Sequence, residues 1–462
     1  MRVSAFLASL AILMAAPATP VMAKKKDKDA DTKALAFNKD PYPSTYHAYP
    51  GVPTAVTNVT VYDGEGAKFL NATVYFRDGK VEGIETGHTV KDGYSVIDGT
   101  GKWVTPGIID VHSHLGDYPS PSVEALSDGN EATGAARPEV WAEHSVWPQD
   151  PGFSRALANG GVTTLQILPG SANLFGGRSV TIKNVYARNV QGMKFPGAPY
   201  GLKMACGENP KRVYGGRGQM PQTRMGNMAV NRQTWARAVE YKRKLDKGEA
   251  VTRDLGMETL AGVLSGEILV HNHCYRADEM SLVIDMAKEF GYKVSTFHHA
   301  VESYKIADLL AKEGICSAMW ADWWGFKMES YDAINENIPL VHKAGACAIV
   351  HSDDANGIQR LNQEAAKALA DGRRIGIDVS DELAWTWLSY NPAKALGIAD
   401  KTGSLKPGKM ADIVLWNGNP LSVYTRPDKV WVDGALMYDA SDPKKRPVAD
   451  FELGQPGEGD VK

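Results

Sequence analysis

Hydrophobic and polar positions along the chain fall into two textures. From about 54 to 103, apolar residues alternate with polar ones in short runs, as in Val59-Thr60-Val61-Tyr62 and Val74-Tyr75-Phe76, and Asp63-Gly64 and Asp78-Gly79 mark turns. Alternation bounded by Asp-Gly predicts hairpin strands. The same texture returns at 412–416 and 429–434. The stretch between behaves differently. Strand-like apolar runs at 107–111, 162–168, 179–182, 268–270, 293–297, 315–319 and 346–350 alternate with helical patterns at 277–290, 304–313 and 361–371. Strand, helix, strand repeated over roughly 300 residues predicts a parallel α/β fold. No GxGxxG follows the first strand, which disfavours a dinucleotide-binding sheet. A (β/α)8 TIM-like barrel over 105–401 is expected. Beside it a small composite β-domain, formed by both chain ends, is expected over 54–104 and 402–440.

Composition adds limits. With 43% hydrophobic and 23% charged residues the chain is ordinarily globular, and its net charge of -3 argues against nucleic acid as a partner. Met1-Arg2, an apolar stretch and Val21-Met22-Ala23 read as a signal peptide over 1–23, cleaved after Ala23. Export to a bacterial periplasm or the medium is therefore expected, with no membrane span after cleavage. A polar lead (24–53) and a loose tail (441–462) flank the folded part. Cys206, Cys274, Cys316 and Cys347 show no CxxC spacing, and buried thiols are the expectation.

The chemistry lies at the ends of the apolar runs. His112-Ser113-His114 follows Ile108-Ile109-Asp110-Val111, and residues two apart on a strand face the same side. His271-Asn272-His273, His298-His299 and His351-Ser352-Asp353-Asp354 follow three further runs in the same manner. Of 11 histidines, seven fall in these four clusters, a concentration that packing alone does not explain. Neutral imidazoles and a carboxylate at the mouth of a barrel make a divalent metal site.

The entry segment 104–114, the segment Asn391-Pro392-Ala393-Lys394-Ala395-Leu396-Gly397 and the return 403–414 resemble the amidohydrolase superfamily. The resemblance runs from about 55 to 438 and is strongest towards the imidazolonepropionase-related branch with its metal-dependent dipeptidases. It extends to an exported subgroup through Leu168-Pro169-Gly170-Ser171 and 207–215. It implies hydrolysis of an amide or peptide-like C–N bond of a dipeptide, acyl-amino acid or cyclic amide by metal-activated water. It implies one or two divalent ions per chain, zinc foremost. His112, His114, His273 and His299 would be ligands, and Asp353 both ligand and catalytic base. Two-metal relatives carry a fourth-strand bridge, for which the chain offers Glu208 and Lys203. Glu208, at the strand's end, is preferred because an uncompensated ammonium inside the strand is costly, with Lys203 as the alternative.

Arg212, Arg224, Arg276 and Tyr304 fall in loops after strands and are candidates for holding a small-molecule substrate. Asp354 could reach a metal histidine or the substrate, and His351 is expected deeper, behind the ligands. Trp320, Trp323, Trp324 and Phe326 either wall a pocket or pack the barrel. A mononuclear deaminase, with Glu279 as its acid, is the first rival. A non-catalytic binding protein is the second, and a homo-oligomer is expected.

Overall fold

The computed structural model describes residues 40–87 and 90–446, so the expected signal peptide and most of the expected tail lie outside the described residues. Five strands come first: β1 (Thr54–Tyr62), β2 (Lys68–Arg77), β3 (Lys80–Thr86), β4 (Ser95–Asp98) and β5 (Trp103–Pro106). Eight follow: β6 (Ile108–Ser113), β7 (Val162–Ile167), β8 (Phe175–Lys183), β9 (Gly201–Ala205), β10 (Leu269–Cys274), β11 (Val294–His299), β12 (Cys316–Met319) and β13 (Cys347–Val350). The last three are β14 (Ile413–Trp416), β15 (Pro427–Val432) and β16 (Ala435–Asp439). The larger helices are α1 (Pro151–Gly160), α2 (Glu208–Gly215), α3 (Arg224–Asp246), α4 (Leu255–Leu264), α5 (Ala277–Phe290), α6 (Ala307–Glu313), α7 (Asn337–Lys343) and α8 (Leu361–Arg374).

One sheet runs β16-β15-β14-β5-β1-β2-β3, with β4 beside β1, and thus draws strands from both ends of the described chain. Its hairpins obey their turn residues. Asp78-Gly79 and Asp433-Gly434 both have two consecutive positive φ values, which suits a tight turn whose twist matches the strands. In β1, Asn58 at φ 57 breaks the alternation, so that Val56 and Val59 both enter the core.

The other sheet runs β6 to β13 in chain order and forms a nearly closed barrel. It departs from the expected all-parallel arrangement at one strand. β8 pairs antiparallel with both β7 and β9. The link from β7, residues 168–174, explains this: a parallel crossover needs about a dozen residues or more, so the chain can only return antiparallel. From β10 onward the strands pair parallel, and α5, α6 and α7 connect them in turn. The sequence pattern located α5, α6 and α8 but missed α3, whose long solvent-facing surface blurs the helical period, and the largely buried α4.

The cysteines correct a second expectation. They are not thiols: Cys206 is bonded to Cys274, and Cys316 to Cys347. Each pair joins neighbouring strands, with Cα atoms 5.2 and 4.4 Å apart, inside the range a disulfide spans. No helix among the described residues is long and apolar enough to cross a membrane.

Barrel and end sheet are locked by a buried ion cluster. The fully buried Lys183 Nζ, at the end of β8, donates to both oxygens of Asp412 at 2.9 Å and to Asp433 Oδ1 at 3.0 Å. Thr402 and Tyr46 hydroxyls donate to the same two carboxylates. Removing the cation strands two buried carboxylates. Lys183→Met is therefore expected to cost about 3–5 kcal/mol, read as a lower urea midpoint; a loss under about 1 kcal/mol would show that the cluster does not couple the two sheets. Denatured, unreduced protein is expected to show no reactive thiol, and all its cysteines should react after reduction.

Candidate active site

The histidines predicted at strand ends converge at the mouth of the barrel. His112 is buried near the end of β6, and the two-residue period places His114 on the same side just beyond it. The Leu168 carbonyl oxygen lies 2.8 Å from His114 Nδ1 and orients the ring, so that Nε2 is directed elsewhere. It faces Asp353 Oδ1 at 3.1 Å, and His112 Nε2 lies 3.3 Å from the same oxygen. His112, His114 and Asp353 thus present three donor atoms within 4.8 Å of one another, as do His112, His299 and His351. His299 Nδ1 is 3.0 Å from His351 Nε2 and 3.8 Å from Asp353 Oδ2. His273 packs against His299 with ring centroids 4.5 Å apart, and its buried Nε2 has no hydrogen-bond partner.

A line of imidazoles runs beneath. His112 Nδ1 lies 2.9 Å from His298 Nδ1, and His298 Nε2 lies 2.9 Å from His271 Nδ1. Burial, followed by the positive neighbours, pushes the pKa values of His112, His273, His298 and His299 well down, that of His271 to about 3 and that of His351 to about 4. These rings are neutral at physiological pH and have lone pairs to give. Burial alone would raise Asp353, but its hydrogen-bonding contact with His114 and the nearby His299 ring hold it well below the usual carboxylate range. An anionic carboxylate amid neutral nitrogens, with a buried Nε2 left unpartnered, is a donor set that fits a divalent ion.

Backbone geometry supports this arrangement. Asp353 sits at φ 57 and His299 at φ 70, conformations uncommon for residues with a side chain, and both lie at the site. Asp353 N donates to the His112 carbonyl at 3.0 Å.

The fourth-strand residues separate clearly. Lys203 is buried, its Nζ donating to the Pro169 carbonyl at 2.8 Å and lying 3.4 Å from His112 Nε2. Burial brings its pKa down to about 7. Glu208, preferred from the sequence, is the first residue of α2, and its Oε1 lies 4.0 Å from Lys327 Nζ. The structure brings Lys203, not Glu208, against the histidines. The cost of a buried ammonium, which favoured Glu208, is lessened because the amine is so readily discharged.

The proposed substrate contacts are mostly engaged elsewhere. Arg224 and Arg276 both pair with Asp278, the latter at 3.1 Å. Arg212 is exposed on α2. Tyr304 donates its hydroxyl to the Asp332 carbonyl at 2.9 Å. Asp354 accepts from Asn356 N at 2.8 Å and caps a turn. Glu279 lies beside the Cys206–Cys274 bridge, its Oε2 4.0 Å from Cys206 Sγ, with its pKa raised to about 6 by burial.

Of the aromatic group, Trp320 is buried against the histidines, whereas Trp323 and Phe326 are exposed. Trp320 stacks on His299 at 4.4 Å and on His351 at 5.0 Å, Tyr275 stacks on His299 at 5.2 Å, and the Tyr275 and Trp320 rings lie 6.1 Å from each other. Exposed Trp323 and Phe326 continue outward from Trp320. Sequence reasoning missed Tyr275 and Lys327, whose Nζ sits 3.9 Å above the Tyr275 ring and 3.3 Å from Glu329 Oε2. Tyr275 directly follows His273-Cys274 and could have been read from its place at a strand end; nothing in the spacing marks Lys327.

Comparison with known proteins identifies relatives of the chain. Residues 251–438 match the model of the Amidohydrolase family. An amidohydrolase from Thermotoga maritima MSB8 superposes with a TM-score of 0.77 at 36% identity, over 84% of this chain and 100% of that one. Amidohydrolase tasK of Hapsidospora irregularis is 30% identical over 433 residues, 84% of this chain, but this chain spans only 43% of its length. An imidazolonepropionase of Mesorhizobium japonicum is 24% identical over 356 residues, 70% of this chain and 80% of that protein.

Proposed function

The chain belongs to the amidohydrolase family, and from that premise we propose that it is a metal-dependent hydrolase of an amide or peptide-like C–N bond. Its substrate is a small molecule of the dipeptide, acyl-amino acid or cyclic amide class. The observation that carries this reading is the convergence of His112 and His114 Nε2 on Asp353 Oδ1, at 3.3 and 3.1 Å.

His112, His114, His273 and Asp353 would hold the ion, which we take to be zinc, with His299 and Lys203 positioned to complete a second site. A bound ion of this kind polarises a carbonyl and makes water a nucleophile near neutral pH. The chain's own groups do the rest. Asp353, ionised and fixed at the centre of the cluster, takes a proton from the attacking water and returns it to the leaving nitrogen. His114 is oriented for its part by the Leu168 carbonyl. Lys203 enters the donor set only once its ammonium is discharged, as the free amine or as the carbamate it forms with carbon dioxide. Tyr275 and Trp320 both pack against His299 and fix its ring. Two disulfides are suited to an oxidising compartment and support export.

Metal analysis and a panel of dipeptides and acyl-amino acids test the proposal together. Asp353→Asn is expected to lower kcat by roughly 10²–10⁴-fold with the unfolding midpoint retained. Lys203→Ala is expected to lower metal content, and Glu208→Gln to leave it unchanged. Wild-type protein that holds no ion after purification and reloading would sink the reading.

A further inference from the structure

The chain following β6 folds back beside the histidines and encloses a cavity of about 680 Å3. Its wall carries the carboxylates of Asp117, Asp128, Glu131 and Glu139, and among the described residues no lysine or arginine lines it. Glu139 is answered from nearby by Arg137 at 3.4 Å, and Glu131 accepts the Thr133 hydroxyl at 2.6 Å. Asp117 is different in kind. It is fully buried, its Oδ1 accepts from Ser145 Oγ at 3.0 Å, and its buried Oδ2 has no hydrogen-bond partner. Leaving such an oxygen unsatisfied costs about 1–3 kcal/mol, more where it is charged. A carboxylate is retained in such a place at lower cost when a cation comes to it.

The cavity adjoins the metal centre. Asp117 N donates to the His114 carbonyl at 3.0 Å. Pro169, part of the wall, accepts the Lys203 ammonium. Asn130, also in the wall, donates to the hydroxyl of Tyr118, whose ring lies 5.7 Å from that of His114. The cavity thus shares direct contacts with residues of the histidine cluster. Its volume falls in the range of about 300–1,000 Å3 typical of organic ligands. It far exceeds a bare ion's needs, since six to eight oxygens close round one at about 2.3–2.6 Å.

We propose that this cavity is the subsite for a positively charged end of the substrate, an ammonium or guanidinium group, with Asp117 as its buried anchor and Asp128 and Glu131 at its mouth. The proposal rests on reading the histidine cluster as the reacting centre, and it specifies the substrate class: amides whose acyl or amino-acid part bears a cationic side chain.

Calorimetric titration of the metal-loaded full chain with arginine, and with its neutral isostere citrulline, tests it directly. Arginine is expected to bind about tenfold tighter or better, a charge-assisted pairing's share of affinity. Asp117→Asn should bring the ratio of the two affinities close to one. Asp128→Asn, at an exposed position where folding is not at stake, should reduce it part of the way. Equal affinities, tighter citrulline, no arginine binding at millimolar concentration, or a preference that survives both substitutions would each overturn the proposal. Hydrolysis of acyl-arginine and acyl-citrulline separates the two readings. An arginine preference in binding without hydrolysis of either removes the hydrolase reading and keeps the subsite. Hydrolysis without discrimination in either assay removes the subsite alone.

Discussion

Closure of the barrel between its first and last strands is the constraint on which the site depends. β6 and β13 share no ladder; the seam is joined instead by a buried carboxylate and by bonds to the His112 carbonyl. Asp110 accepts from His112 N at 3.1 Å, from Ser352 N at 3.2 Å and from the Ser352 hydroxyl. Asp353 N then donates to the His112 carbonyl. These bonds set the first-strand histidines opposite the last-strand aspartate at about hydrogen-bonding distance. Burial raises the Asp110 pKa to about 7 against the pull of its donors, so its place in the fold is costly to fill. Residues far apart in sequence share a site here because a polar side chain stands in for a strand pairing.

Much of this was legible in the sequence because strand periodicity is local. His112 and His114 reveal their common face through their spacing alone, and an apolar run before them marks the strand. What was not legible depends on contacts between strands. The disulfides require knowing that β9 lies beside β10 and β12 beside β13. The choice between Lys203 and Glu208 turned on environment: a rule about buried charge favoured the carboxylate, whereas burial converts the lysine into an amine that can be discharged near neutrality. Arg224 and Arg276 looked available because Asp278, which takes both, is close to only one of them in sequence.

The direction of β8 shows how local chain length reaches the chemistry. Six strands of the barrel are followed by α-helices, but the short link 168–174 turns β8 back and leaves Leu168 and Pro169 at the mouth. Those two carbonyls orient His114 and hold Lys203. The same link forms part of the acidic cavity wall through Pro169. A departure from regular barrel topology thus supplies backbone acceptors at the point where a helix start would have presented donors.

Electrostatics divides the mouth into two regions of opposite demand. On one side, burial strips protons from six imidazoles and leaves an ionised aspartate among them, a place that lacks positive charge and is suited to an ion. On the other, Asp117 is buried with its Oδ2 unpartnered and no lysine or arginine among the described residues lining the cavity, a place suited to a positive group that must be released with the product. A fixed lysine in that cavity would satisfy Asp117 permanently and abolish its use. Leaving the carboxylate unpaired costs stability in the free protein and makes the cavity selective for what it lacks. That trade is physically coherent only if the occupant is transient, which is the condition a substrate meets and a structural ion pair, such as Lys183 with Asp412, does not.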